Sequence, residues 1–137
     1  MKFSLDKSTG NTIIAYDVGA IQVHTRVSTA TEGPKSHVRI ITSSAIITPE
    51  VLIEEWPPAD PAELVADHMR QVLEFQPEIV ILGTGRHLRF PPVEIIQTCH
   101  QAGAGFEVMD TGAACRTYNI LAAEGRRVAI AVLMIEA

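Results

Sequence analysis

Between Glu78 and Arg127 the chain twice repeats one order: an apolar strand run, a polar loop, then a helix. Ile79-Val80-Ile81-Leu82 empties into Gly83-Thr84-Gly85-Arg86-His87. Phe106-Glu107-Val108-Met109 empties into Asp110-Thr111-Gly112 and a helix holding Cys115, Arg116, Thr117, Tyr118 and Asn119. Strands joined through helices run parallel with right-handed crossovers, so both loops open at the same edge of one sheet. The run Ile79–Leu82 has no polar alternation, which predicts a central strand covered on both faces. Residues 127–135 are too apolar for an exposed edge and supply the last strand.

Helix signals frame these strands. Asp60-Pro61-Ala62-Glu63 reads as a helix start, with Asp60 as cap and Pro61 at the first helical position. Val65, Met69, Val72 and Leu73 follow as one apolar stripe, with His68 at its margin, and Gln76-Pro77 stops the helix. After Phe90-Pro91-Pro92 a second helix places Val93, Ile96 and His100 on one stripe with Cys99 beside it. Gly103 and Gly105 supply its left-handed terminus. The third helix, from Gly112 to Glu124, carries Ala114, Tyr118, Leu121 and Ala122 inward.

The first half is β-rich. Ile21, Val23, Thr25 and Val27 alternate with polar residues, a period of two that buries one face of a strand. Residues 28–37, with Gly33-Pro34, read as a loop, and residues 1–11 as a polar segment that frays or adds an edge strand. Val38–Thr42 and Ala45–Thr48 are strand material broken at Ser43-Ser44; Val51-Leu52-Ile53 continues the second run or forms a short extra strand. Trp56 lids the core edge. The expectation is an α/β fold: one three-layer domain with a mixed central sheet, helices and additional N-terminal β-structure. The β-rich part covers about residues 1–58 and the βαβαβ part about 59–137.

Composition narrows the function classes. Hydrophobic residues are 47% of the chain but aromatic ones only 5%, so the core is aliphatic. A net charge of −5 without clustered Lys and Arg argues against a nucleic-acid surface. No apolar run reaches the roughly 20 residues of a membrane helix. Cys99 and Cys115 lack both disulfide-scaffold density and zinc spacing, which fits a reducing, cytoplasmic compartment. The start, Met1-Lys2-Phe3-Ser4-Leu5-Asp6, does not read as a signal peptide. No metal site or cofactor is expected.

The candidate site is the pair of loops. Gly83, Thr84 and Gly85 leave backbone N–H groups unmasked, as an anion site requires, and Arg86, His87 and Arg89 add positive charge. The segment is neither a Walker loop nor a dinucleotide fingerprint. Thr111 and Gly112 open a helix whose free N–H groups form a second anion position. Cys115 sits near that helix start, where Arg116 and the helix terminus would lower its thiol pKa; its nucleophilic reading needs His87 as base, its bland reading is packing. Asp110 caps the helix, orients Arg116 or acts as a base. Asn119, four residues after Cys115, shares its face. A polar residue mid-helix calls for a specific hydrogen bond, to the glycine loop in the economical reading and to a ligand in the other. No complete catalytic constellation is present.

Together Pro77–Gly85, Met109-Asp110-Thr111, Ala114, Thr117-Tyr118-Asn119 and Glu124–Val128, with Ser44–Pro49 and Trp56, resemble a small α/β family. That family includes a mitochondrial respiratory complex I assembly factor, an adipogenesis-associated vertebrate protein and bacterial proteins of unknown function. The resemblance implies one three-layer α/β domain, no assignable cofactor or activity, and protein partners in assembly of the NADH:ubiquinone oxidoreductase. This chain resembles a bacterial member, and apolar residues in 51–56 offer a surface for a homo-oligomer.

Overall fold

The computed structural model describes residues 10–29 and 33–137; the expectation for residues 1–9 lies outside them. Strands β1 (Gly10–Asp17), β2 (Ala20–Thr29) and β3 (Gly33–Ile41) form an antiparallel three-stranded sheet in the order β1-β2-β3. A five-stranded sheet contains β4 (Ala45–Ile47), β5 (Leu52–Ile53), β6 (Ile79–Thr84), β7 (Gly105–Met109) and β8 (Val128–Leu133) in the order β5-β4-β8-β6-β7. In it β6 pairs in parallel with β7 and β8, whereas β4 is antiparallel to β8 and β5. The mixed central sheet and the extra N-terminal β-structure are thus separate sheets.

Helices cover both faces of the larger sheet. On one face α1 (Ala66–Leu73) and α2 (Val93–Gln101) bury Met69, Val72, Ile95 and Cys99 against Val80, Leu82, Ala129 and Ala131. On the other, α3 (Thr111–Ala123) buries Ala114, Cys115 and Tyr118 against Ile81, Ile130 and Val132. Ile13, Ile21, Val23 and Ile41 of the smaller sheet join this second cluster. Successive β-residues point to opposite faces, so the same strands feed both layers. All six residues of β8 are buried, as its unbroken apolar run requires.

Several boundaries differ from the sequence reading. Residues 28–29 and 33–37 lie in strands, because β2 and β3 pair from Ile21↔Ile41 out to Thr29↔Gly33. Pro61–Glu63 is a separate 3-10 turn capped by Asp60, whose Oδ1 accepts from Ala62 N–H at 2.9 Å. The α-helix begins only at Ala66, so Val65 is extended and exposed rather than part of the apolar stripe. In α2 the inward residues are Ile95 and Cys99; Val93 and His100 face solvent, so the stripe is rotated from the expected phase. Trp56 is buried as expected, and its Nε1–H donates to Gln71 Oε1 at 3.1 Å.

The edge strand β1 is closed by side chains of α3. Asn11 N–H donates to Pro49 O at 2.9 Å, and Asn11 O accepts from the Tyr118 hydroxyl at 2.9 Å. Two residues on, Ile13 N–H donates to Asn119 Oδ1 at 2.9 Å and Ile13 O accepts from Asn119 Nδ2 at 2.7 Å. Open edges template pairing with other strands; here Tyr118 and Asn119 stand in for the missing neighbour.

Candidate functional site

The parallel register of β6 with β7 and β8 brings the ends of all three strands together, so the loops after β6 and β7 meet. They are tied directly. Gly85 N–H donates to Thr111 Oγ1 at 2.8 Å, and Thr111 N–H donates to Gly85 O at 2.9 Å. The Thr111 hydroxyl donates in turn to Leu133 O at 2.6 Å, joining β6, α3 and β8 through one oxygen. Thr84 does the same within its loop: its hydroxyl donates to His87 O at 2.6 Å and accepts from Arg89 N–H at 3.1 Å. Thr84 and Thr111 are both fully buried, so these bonds satisfy groups that water does not reach.

Close approach explains the glycine at 83. A Cβ there would lie 3.2 Å from the Ala114 Cβ, the Thr111 Cα and the Thr111 Oγ1. Gly85 has φ +96°, a conformation L side chains rarely adopt.

The helix start expected as a second anion position is also occupied from within the chain. Asp110 Oδ1 accepts from Ala113 N–H at 2.9 Å, so this carboxylate caps the helix. The Tyr16 ring covers Gly112, where an added Cβ would stand 2.8 Å from Tyr16 Cε1. Arg116 turns to the same ring: its guanidinium donates to the Tyr16 hydroxyl, with Cζ 5.9 Å from the ring centroid.

Cys115 is buried among core residues, and burial pushes its thiol up to about 12, outweighing the opposite pull of Arg116. The expected lowering is therefore reversed: desolvation disfavours the thiolate more than one exposed guanidinium favours it. Asn119 does not reach the glycine loop; both ends of its amide are engaged with Ile13. The ten candidate residues thus separate. Gly83, Thr84, Gly85 and Thr111 form the lock; Asp110 caps the helix; Cys115, Arg116 and Asn119 belong to its contact with the smaller sheet.

Arg86 and His87 remain exposed on the outer side of the lock. There the chain supplies an anion that sequence reasoning missed. Glu136 Oε1 accepts from Arg86 N–H at 3.0 Å, and Arg86 Nε–H donates to Glu136 O at 3.0 Å. The Arg86 N–H holds the Glu136 carboxyl below its ordinary range, with help from Arg89 and His87. The available signal was register: β8 runs parallel to β6 with Thr84 beside Leu133, which carries Glu136 to the level of the glycine loop. A hollow of about 270 Å³ lies at the opposite end of the sheet, lined in part by Val51, Phe75, Arg126 and Arg127, and no candidate residue borders it.

Among the described residues no helix is long and apolar enough to cross a membrane, and no group of three or more His, Cys, Asp or Glu is placed to hold a metal ion.

Solved structures of similar proteins share this architecture. A crystal structure of a Bordetella parapertussis protein is similar with a TM-score of 0.75 and 34% identity, covering 93% of this chain and 98% of that one. A Francisella tularensis protein named 13 kDa major membrane protein is 30% identical over 101 residues, which are 74% of this chain and 78% of the relative. The zebrafish NADH dehydrogenase [ubiquinone] 1 alpha subcomplex assembly factor 3 is 30% identical over 91 residues, 65% of this chain and 51% of that protein. The match thus spans about half the length of the assembly factor. The family described as protein of unknown function (DUF498/DUF598) matches residues 13–133, from the edge strand β1 to the end of β8. This chain belongs to that family.

Proposed function

We propose that the chain is a non-enzymatic interaction module that acts in assembly of a respiratory NADH dehydrogenase in the cytoplasm. The observation that carries this reading is the self-satisfied pair of loops: the hydroxyls of Thr84 and Thr111 are engaged by neighbouring backbone, and the Cys115 thiol is buried. A site for chemistry needs groups that are free to meet a substrate. Here the unspent groups lie on the surface, which is where a protein partner is met. Similarity to a named assembly factor supports the same direction, and a fold hosts many functions, so the partner needs a direct test.

That test is affinity purification of the tagged chain at native abundance, with NADH:quinone oxidoreductase activity measured in a deletion strain. Co-purification of oxidoreductase subunits and lowered activity are the expected results. No partner and normal activity would count against the proposal.

A further inference from the structure

The loop from Gly85 to Val93 combines two features. Arg86, His87 and Arg89 fall within four residues on a chain whose net charge is −5. Interleaved with them, Leu88, Phe90 and Val93 are 51%, 69% and 66% exposed, which is unusual for residues of this kind on one short segment. Buried Pro91 and the Thr84 bonds to His87 O and Arg89 N–H hold this loop in place from beneath.

The basic end of the loop already holds a carboxylate. Glu136 receives the Arg86 N–H, lies against Gly85 so closely that a Cβ there would collide with Oε1, and is itself exposed. It reports what chemistry the position accepts: a carboxylate oxygen on a backbone N–H, with the Arg86 guanidinium turned to the main-chain carbonyl of Glu136 and the positive charge of Arg89 nearby. Arg89 reaches Asp60 Oδ2 at 2.9 Å, a second carboxylate that comes from the cap of the 3-10 turn. The Glu136 contact lies at the surface, where water screens it, so a partner's carboxylate competes with it on nearly equal terms.

We propose that the β6–α2 loop is a docking surface for an acidic, apolar segment of a partner protein. A partner Asp or Glu takes the place of Glu136 at Arg86 N–H, while neighbouring apolar side chains cover Leu88, Phe90 and Val93. Glu136 is then an internal competitor that occupies the Arg86 N–H when no partner is bound. This inference rests on the interaction-module reading and names its surface. Charge complementarity selects an acidic segment, and the exposed apolar residues supply the area that an ion pair alone lacks.

The probe is a fluorescein-labelled peptide alternating Glu with Leu and Phe, beside the same peptide with Gln for Glu, followed by fluorescence anisotropy at about 0.1 M salt. Wild type binds the Glu peptide and not the Gln peptide. Glu136→Ala binds it about 2–5-fold tighter, the range one exposed competing contact allows. Arg86→Glu and Phe90→Ser each weaken it at least 5-fold while melting like wild type, since both positions are solvent-facing. Equal binding of the two peptides, or no gain in Glu136→Ala, overturns the proposal. So does sedimentation of wild type with phosphatidylglycerol vesicles without peptide binding, which would assign the loop to a lipid surface. If the double variant Arg86→Glu/Phe90→Ser still co-purifies the partners of wild type, this surface is wrong and the module reading stands. If wild type co-purifies none, it is the module reading that fails.

Discussion

Gly85 and Thr111 exchange two hydrogen bonds across 26 residues of sequence, Gly85 N–H to Thr111 Oγ1 and Thr111 N–H to Gly85 O. The side chain of one residue and the backbone of both close a ring between the end of β6 and the start of α3. What looks in sequence like a phosphate-accepting glycine loop is here a clasp.

Removing the clasp's hydroxyl strands two groups. In Thr111→Val, Gly85 N–H and Leu133 O lose their partner in a dry setting, at about 1–3 kcal/mol for each group left unsatisfied. Thr111→Ser keeps the oxygen and most of the stability. Urea unfolding of the three proteins measures the difference, and an unchanged midpoint for Thr111→Val contradicts the clasp.

Asn119→Ala opens the β1 edge by releasing both Ile13 N–H and Ile13 O. The expected loss is about 1–3 kcal/mol. Because α3 packs on both sheets, the two sheets unfold together, as one transition by far-ultraviolet circular dichroism and by tyrosine fluorescence. Separate transitions would show two independently folding units.

Both thiols are protected. Burial pushes Cys99 up to about 11 and Cys115 up to about 12. At pH 8 neither reacts appreciably with Ellman's reagent in the folded protein, and both react in 6 M guanidinium chloride. For an acid whose folded pKa is raised, stability is constant below the unfolded value, roughly 8.5, and falls as pH rises above it. Fast labelling of Cys115 in the native state would revive a nucleophilic role.

The Glu136 carboxyl is lowered chiefly by the Arg86 N–H, a backbone group. Arg86→Ala therefore leaves it below the ordinary glutamate value, whereas unfolding restores it. Its contribution is present above the unfolded value of roughly 4.3 and fades as pH falls through the lower folded one. A carboxyl-detected NMR titration measures this, and a Glu136 at its ordinary value in the folded wild type would remove the contact.

Much of the scaffold was readable because apolar runs leave few alternatives. Ile79–Leu82 and residues 127–135 read as interior strands, which the structure has as Ile79–Thr84 and Val128–Leu133, and the carboxyl-edge rule put the loops after Leu82 and Met109 at one edge. Asn119 was legible as a polar residue that needed a partner. Which partner was not, because Ile13 lies 106 residues away and belongs to another sheet. Phase errors at Val65 and Val93 lie at helix starts: Val65 is the extended residue before its helix, and Val93 is the first residue after the extended Pro92. Glu136 escaped notice because its role follows from strand register, which a single sequence does not print.

The central claim is that this chain works by binding a protein and not by transforming a small molecule. Its most direct test is native-abundance affinity purification of wild type and of the Arg86→Glu/Phe90→Ser variant, with respiratory NADH dehydrogenase assembly followed on native gels in the deletion strain. Co-purification of dehydrogenase subunits with wild type, and accumulation of incomplete complex in the deletion strain, are the results predicted. A fully assembled complex without the chain, together with no bound protein at native abundance, would contradict the account.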